Sequence, residues 1–133
     1  MKPVSKMAIV GAVAVIAGAS AMEVLHAQTV TAPAPAYLVA NVEEVKDDAM
    51  LAQYAVAVPK TEAAFGGHVI VRGAMPVMLD SSPLPKGRFV VIQFPSMKAL
   101  QGWWNSPAYS AVRPLREKST VGRVFALEGI PPP

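Results

Sequence analysis

The sequence predicts a small α+β domain in which helices cover one face of an antiparallel sheet, and three observations predict it. Runs with a period of two alternate with runs at helical spacing, Gly and Pro punctuate the changes between them, and the chain is too short for a second domain. At 133 residues it lies in the one-domain range. Hydrophobic residues make up 53% and charged residues 16%, a balance that favours burial over disorder.

The first segment reads as an address. Lys2 and Lys6 precede an apolar run from Met7 to Ala19, and small residues follow at Ala19-Ser20-Ala21. Basic, apolar, small is the order of a secretory signal, and the run is short for a spanning helix, which needs about 20 apolar residues. Cleavage is expected after Ala21 or after Ala27, with the second preferred, giving a signal peptide over 1–27 and a periplasmic or secreted domain. The alternative is an uncleaved leader that tethers the domain to the membrane. Residues 28–36, with Pro33 and Pro35, read as an extended linker, and 130–133 as a Pro-rich tail.

Tyr37 to Val45 is the first strand, with Leu38, Ala40 and Val42 alternating along it. Asp47 and Asp48 suit a helix start, because a carboxylate accepts from free backbone N–H groups and meets the positive end of the dipole. Leu51, Tyr54, Ala55 and Val58 then fall at helical spacing. Pro59 predicts a kink or restart, since it lacks an N–H. Gly66-Gly67 closes the element, and His68 to Arg72 leads away as a second strand. Gly73 allows a bulge before Pro76 to Leu79, an irregular continuation of that strand. After a Pro-containing loop, Arg88 to Phe94 is the third strand. Ser96 caps a helix carrying Met97, Leu100, Trp103 and Trp104, and Asn105-Ser106-Pro107 ends it and starts another, which Pro114 should distort. Thr120 to Glu128 is the last strand. The order β-α-β-β-α-β is that of the ferredoxin-like fold.

Strand Arg88–Phe94 carries apolar groups on both faces, as does Thr120–Glu128, and the helices cover one face only. Leaving four or five such side chains in water forfeits roughly 1.5–3 kcal/mol each. Net domain stability is only about 5–15 kcal/mol, so a second copy is expected on the open face, making a homodimer.

Composition excludes several classes. The sequence has no cysteine, which removes disulfides and thiolate chemistry, and beyond residue 27 its only histidine is His68, so no metal site or cofactor is expected. Haem ligation would rest on His68 alone. Ten basic against eight acidic residues beyond residue 27, scattered along the chain, argue against nucleic acid as a partner.

Candidate binding residues are few. Arg72, Arg113 and Arg116 can each hold a carboxylate in a two-pronged geometry, and Tyr109, Arg113 and Arg116 share one side of a regular helix. Arg72 ends a strand, on the face expected to carry His68 and Ile70. His68 has the pKa range of a general base but no neighbouring carboxylate in sequence to orient it. Tyr54 offers a hydroxyl, and Trp103 either walls an aromatic cleft or packs in the core. Against these roles stands the plainer one, in which the arginines cover apolar surface with their stems.

Tyr54 with Val58-Pro59, Phe65-Gly66-Gly67, Val71-Arg72-Gly73, Phe94-Pro95-Ser96-Met97, the run Trp103 to Tyr109, Arg113 and Leu115-Arg116 together resemble the domain-of-unknown-function family 1330 across Tyr37 to Gly129. The resemblance implies a dimeric α/β barrel, a superfamily that includes cofactor-free monooxygenases, muconolactone-type isomerases and some haem proteins. It implies no particular reaction. Two functional expectations follow: a homodimeric module that binds or transforms a small anionic or aromatic compound without a cofactor, or a non-catalytic interaction or structural protein of the periplasm.

Overall fold

The computed structural model describes residues 31–133. The expected signal peptide and the start of the linker lie outside these residues. In chain order the elements are β1 (Ala36–Val45), α1 (Asp48–Glu62) continuing into a single 3-10 turn (Ala63–Phe65), β2 (His68–Ala74), β3 (Arg88–Phe94), α2 (Met97–Trp104), α3 (Pro107–Ser119) and β4 (Thr120–Glu128). The four strands form one antiparallel sheet in the order β2-β3-β1-β4. This is the ferredoxin-like arrangement that the element order predicts. β1 begins one residue before Tyr37, and Ala36, placed at the end of the linker by the sequence, is fully buried.

Each helix starts where a side chain satisfies a free N–H. The Met50 N–H donates to Asp47 Oδ1 at 2.9 Å, the Ala99 N–H to Ser96 Oγ at 3.1 Å and the Tyr109 N–H to Ser106 Oγ at 3.2 Å. Gly66, with φ of 73°, supplies the left-handed residue that ends the first helical segment.

The restart that Pro59 could impose does not occur. α1 runs unbroken through Pro59 to Glu62, and α3 through Pro114 to Ser119. Each proline removes one helical hydrogen bond. Pro59, Pro114 and the residues four back, Ala55 and Ser110, are all exposed, so water can serve the freed carbonyls. The expected continuation of β2 through Pro76 to Leu79 is also absent. Gly73 (φ 63°) turns the chain, Pro76 cannot donate to a ladder, and Val77 and Leu79 are exposed.

Cross-strand pairing assigns the faces. Leu38 and Ala40 on β1 pair with Ile92 and Val90 on β3 and with Ala126 and Val124 on β4, on the face beneath the helices. The outer face carries Tyr37 and Val39, Val91 and Gln93, Phe125 and Leu127. The core lies between the inner face and the helices and includes Leu38, Val58, Ile92, Phe94, Leu100, Trp103 and Tyr109. Trp103 is completely buried, 3.9 Å centroid to centroid from Tyr109 and 5.3 Å from Phe94, and its Nε1–H donates to Thr61 Oγ1 at 2.9 Å. Removing a side chain of this size from a closed core leaves an unfilled hole. Trp103→Ala should lower stability by about 3–5 kcal/mol in urea unfolding, enough to leave little folded protein.

Candidate functional site

Between the inner sheet face, α1 and α3 lies a cavity of about 290 Å³. Its walls are mainly apolar: Leu38, Ala40, Val42, Val69, Val90, Ile92 and Val124 from the sheet, with Leu51, Ala55 and Val58 from α1. Five polar side chains break this lining, namely Arg72, Arg88, Arg116, Tyr54 and Tyr109, and no carboxylate is among the lining residues.

Arg72 arrives there by a register shift. Val69 pairs with Ile92 and Val71 with Val91, so Ile70 is an extra residue in β2, and Arg72 then pairs with Val90 on the inner face. His68 pairs with Gln93 on the outer side. The sequence expectation that Arg72 shares a face with His68 is therefore corrected, because one extra residue reverses the direction of every later side chain. Arg88 stands two residues before Val90 on the same face of β3. Its Cδ lies 3.7 Å from the point a Cβ on Gly73 would occupy, so its stem runs beside the residue that follows Arg72.

At the helix side, the Tyr54 and Tyr109 hydroxyls are 3.1 Å apart, joining α1 to α3. Burial first, and the Tyr109 hydroxyl second, push Tyr54 well above the ordinary tyrosine range, so it stays protonated. The Arg116 Nε is buried and has no hydrogen-bond partner among the described residues. Its nearest acid, Glu117, is 3.7 Å from Nη2 and half exposed.

Three expected site residues lie elsewhere. Trp103 packs in the core. Arg113 lays its guanidinium over Trp104 at 4.4 Å and Tyr109 at 5.0 Å and donates to the Trp104 carbonyl, a structural role of cation-π contact. His68 is exposed and outside the cavity lining. Of the residues expected at the site, Arg72, Tyr54, Tyr109 and Arg116 come together. Among the described residues, no group of three or more His, Asp or Glu side chains could hold a metal ion.

Sequence reasoning missed Arg88 and Glu62. Arg88 was legible, because it alternates with Val90 and Ile92 at a period of two. Glu62 was legible too, four residues beyond Val58 on the buried stripe of α1. It is only 3% exposed, and its Oε2 has no partner among the described residues. Burial raises its carboxyl above the ordinary 4.5, opposed first by Arg72 and then by His68.

The family profile described as a domain of unknown function, DUF1330, matches residues 35–130, about the whole of this fold. The chain belongs to the DUF1330 family. Among solved structures similar to this DUF1330 domain is the RPA0582 protein of unknown function from Rhodopseudomonas palustris. It is 19% identical with a TM-score of 0.56, over 74% of this chain and 85% of that one. Methylated RPA0582 gives 17% identity and a TM-score of 0.58, over 74% and 82% of the two chains. A dimeric protein of unknown function with a ferredoxin-like fold from Bacteroides fragilis is 10% identical, with a TM-score of 0.45 over 71% and 94%. No curated protein matches the DUF1330 chain. At these identities the solved structures speak to the fold alone.

Glu62 gives the domain a pH dependence of definite sign. A carboxyl whose folded value is raised contributes its full stability below the unfolded value and loses it as pH rises through the folded value. Wild type should therefore lose stability from pH 4.5 upward through that window, and Glu62→Gln should lose less, as read by urea midpoints taken below pH 4.5 and at neutral pH.

Proposed function

We propose that this DUF1330 protein is an exported homodimer that binds a small anion with an apolar body in the cavity beneath its helices. The observation that carries the binding reading is the gathering of Arg72, Arg88 and Arg116 on an apolar cavity whose lining contains no acid. Arg72 and Arg88 are exposed and Arg116 is partly buried, and a carboxylate matches the fork geometry of a guanidinium. The hydrogen-bonded tyrosine pair adds a hydroxyl donor. Binding, rather than any one reaction, is what this geometry supports best.

Pairing is supported by the outer sheet face. Phe125 is 43% exposed and Leu127 54%, and Ile70 and Val121 are exposed as well. A second copy of the same sheet supplies apolar cover for all of them and closes the assembly on itself. Export is supported by Lys2, Lys6, the apolar run after them and the small residues at Ala19-Ser20-Ala21.

Aromatic carboxylates such as benzoate should raise the melting temperature of the wild-type protein. At a hundredfold excess over Kd a ligand adds about 2.7 kcal/mol, a shift of several degrees. Arg72→Ala should lose most of that shift. An absent wild-type shift, or an undiminished one in the variant, would favour the non-catalytic interaction reading instead.

Native mass spectrometry of the exported protein should show a dimer whose subunit mass lacks the leader. Leu127→Asp should turn that dimer into a monomer while leaving the domain folded. A concentrated wild-type monomer would remove the pairing from the proposal.

A further inference from the structure

We propose that the ligand of this cavity is a medium-chain alkanoate, held with its carboxylate at the mouth and its unbranched tail directed inward. The inference rests on the anion-binding reading above and names its substrate class. It follows from how exposure changes along the strands. The register of β1 and β3 fixes three levels on the inner face: Val42 opposite Arg88, Ala40 opposite Val90, and Leu38 opposite Ile92. All six residues line the cavity. At the first level Arg88 is exposed and Val42 only partly buried, whereas at the third Leu38 is 5% and Ile92 4% exposed.

Helix α1 repeats the gradient. Leu51 borders a neighbouring hollow together with Val42 and Arg88, so it stands at the first level, and it is partly buried. Val58, two turns further on, is 6% exposed and packs in one core with Leu38 and Ile92. Sheet and helix thus cover the same end of the cavity and leave the other open. Arg88 marks the open end, and Arg72, also exposed, enters from edge strand β2 opposite Val90. A carboxylate there accepts from a guanidinium fork while its outer side stays in water.

The inward path suits a single apolar tail. Its other polar groups are already engaged: the Tyr54 and Tyr109 hydroxyls bond to each other, and the Arg116 guanidinium lies 5.9 Å from the Trp104 ring and 3.7 Å from Glu117. From Val42 to Leu38 the lining follows roughly 13 Å of strand. A compact inorganic anion would leave the two inner levels uncovered, and a single-ring acid would end short of the third. A volume of about 290 Å³ is at the lower limit for drug-sized ligands, which excludes a bulky polycyclic acid. An unbranched chain reaches the covered end and gains apolar contact with each methylene.

The test is titration calorimetry on the purified protein with butanoate, hexanoate, octanoate, decanoate and dodecanoate, and with 1-octanol as the uncharged control. Affinity should rise about two- to fourfold per methylene from butanoate to octanoate and level off by dodecanoate. 1-Octanol should bind at least about tenfold more weakly than octanoate. Arg72→Ala should weaken hexanoate and octanoate by the same factor, because the carboxylate contact is common to both. Ala40→Leu, which fills the middle level, should weaken octanoate more than butanoate, and an equal loss would overturn the inward tail. A flat wild-type series, or one still rising at dodecanoate, overturns the tail placement and leaves anion binding standing. Failure of every acid to bind, or 1-octanol binding as tightly as octanoate, overturns both. The wild-type series decides the matter even if neither variant folds.

Discussion

The placement of one indole underlies the rest of this structure. Trp103 on α2 meets Phe94 on β3 and Tyr109 on α3, and it donates to Thr61 on α1, so one side chain ties the sheet to every helix. Thr61 in turn donates to the Val58 carbonyl at 2.7 Å, which gives the hydroxyl both a donor and an acceptor role. Because Tyr109 is held against this indole, its hydroxyl stands where Tyr54 can reach it. The polar side of the cavity is thus a consequence of core packing. A buried aromatic cluster of this kind stabilises by area and by ring geometry together, and it tolerates little displacement.

Small residues stand among the larger ones that line the cavity. Ala55 on α1 and Ala40 on β1 leave a space that larger residues would fill, while Trp103 and Phe94 close the core nearby.

Most of the fold was legible because it depends on local signals. Asp47, Ser96 and Ser106 mark helix starts through hydrogen bonds spanning three residues, and period-two alternation marks β1, β3 and β4. Pro59 does not restart α1, because the cost of a proline depends on whether its freed carbonyl reaches water, a tertiary property. The face of Arg72 was illegible for a related reason. A bulge at Ile70 is set by pairing with β3, and the run from His68 to Arg72 contains no residue that announces it. Trp103 and Arg113 belonged to the right layer of the molecule, but sequence spacing cannot separate a cavity wall from a core a few ångströms away. Arg88 and Glu62 needed no structure, only the same periodicity applied to charged residues as to apolar ones.

The bulge at Ile70 also bears on both faces of the sheet at once. Were β2 regular, Arg72 would oppose Phe89, and its guanidinium would leave the sheet on the outer face, where the proposed second copy would pack. A charge buried there without a partner would weigh heavily against association. With the extra residue in place, Val71 takes the outer face opposite Val91, and Arg72 takes the inner face opposite Val90. The same single-residue irregularity therefore keeps that part of the outer face apolar and adds a cation to the cavity. The proposed binding and pairing, though they would use opposite sides of the sheet, both depend on the register of one edge strand.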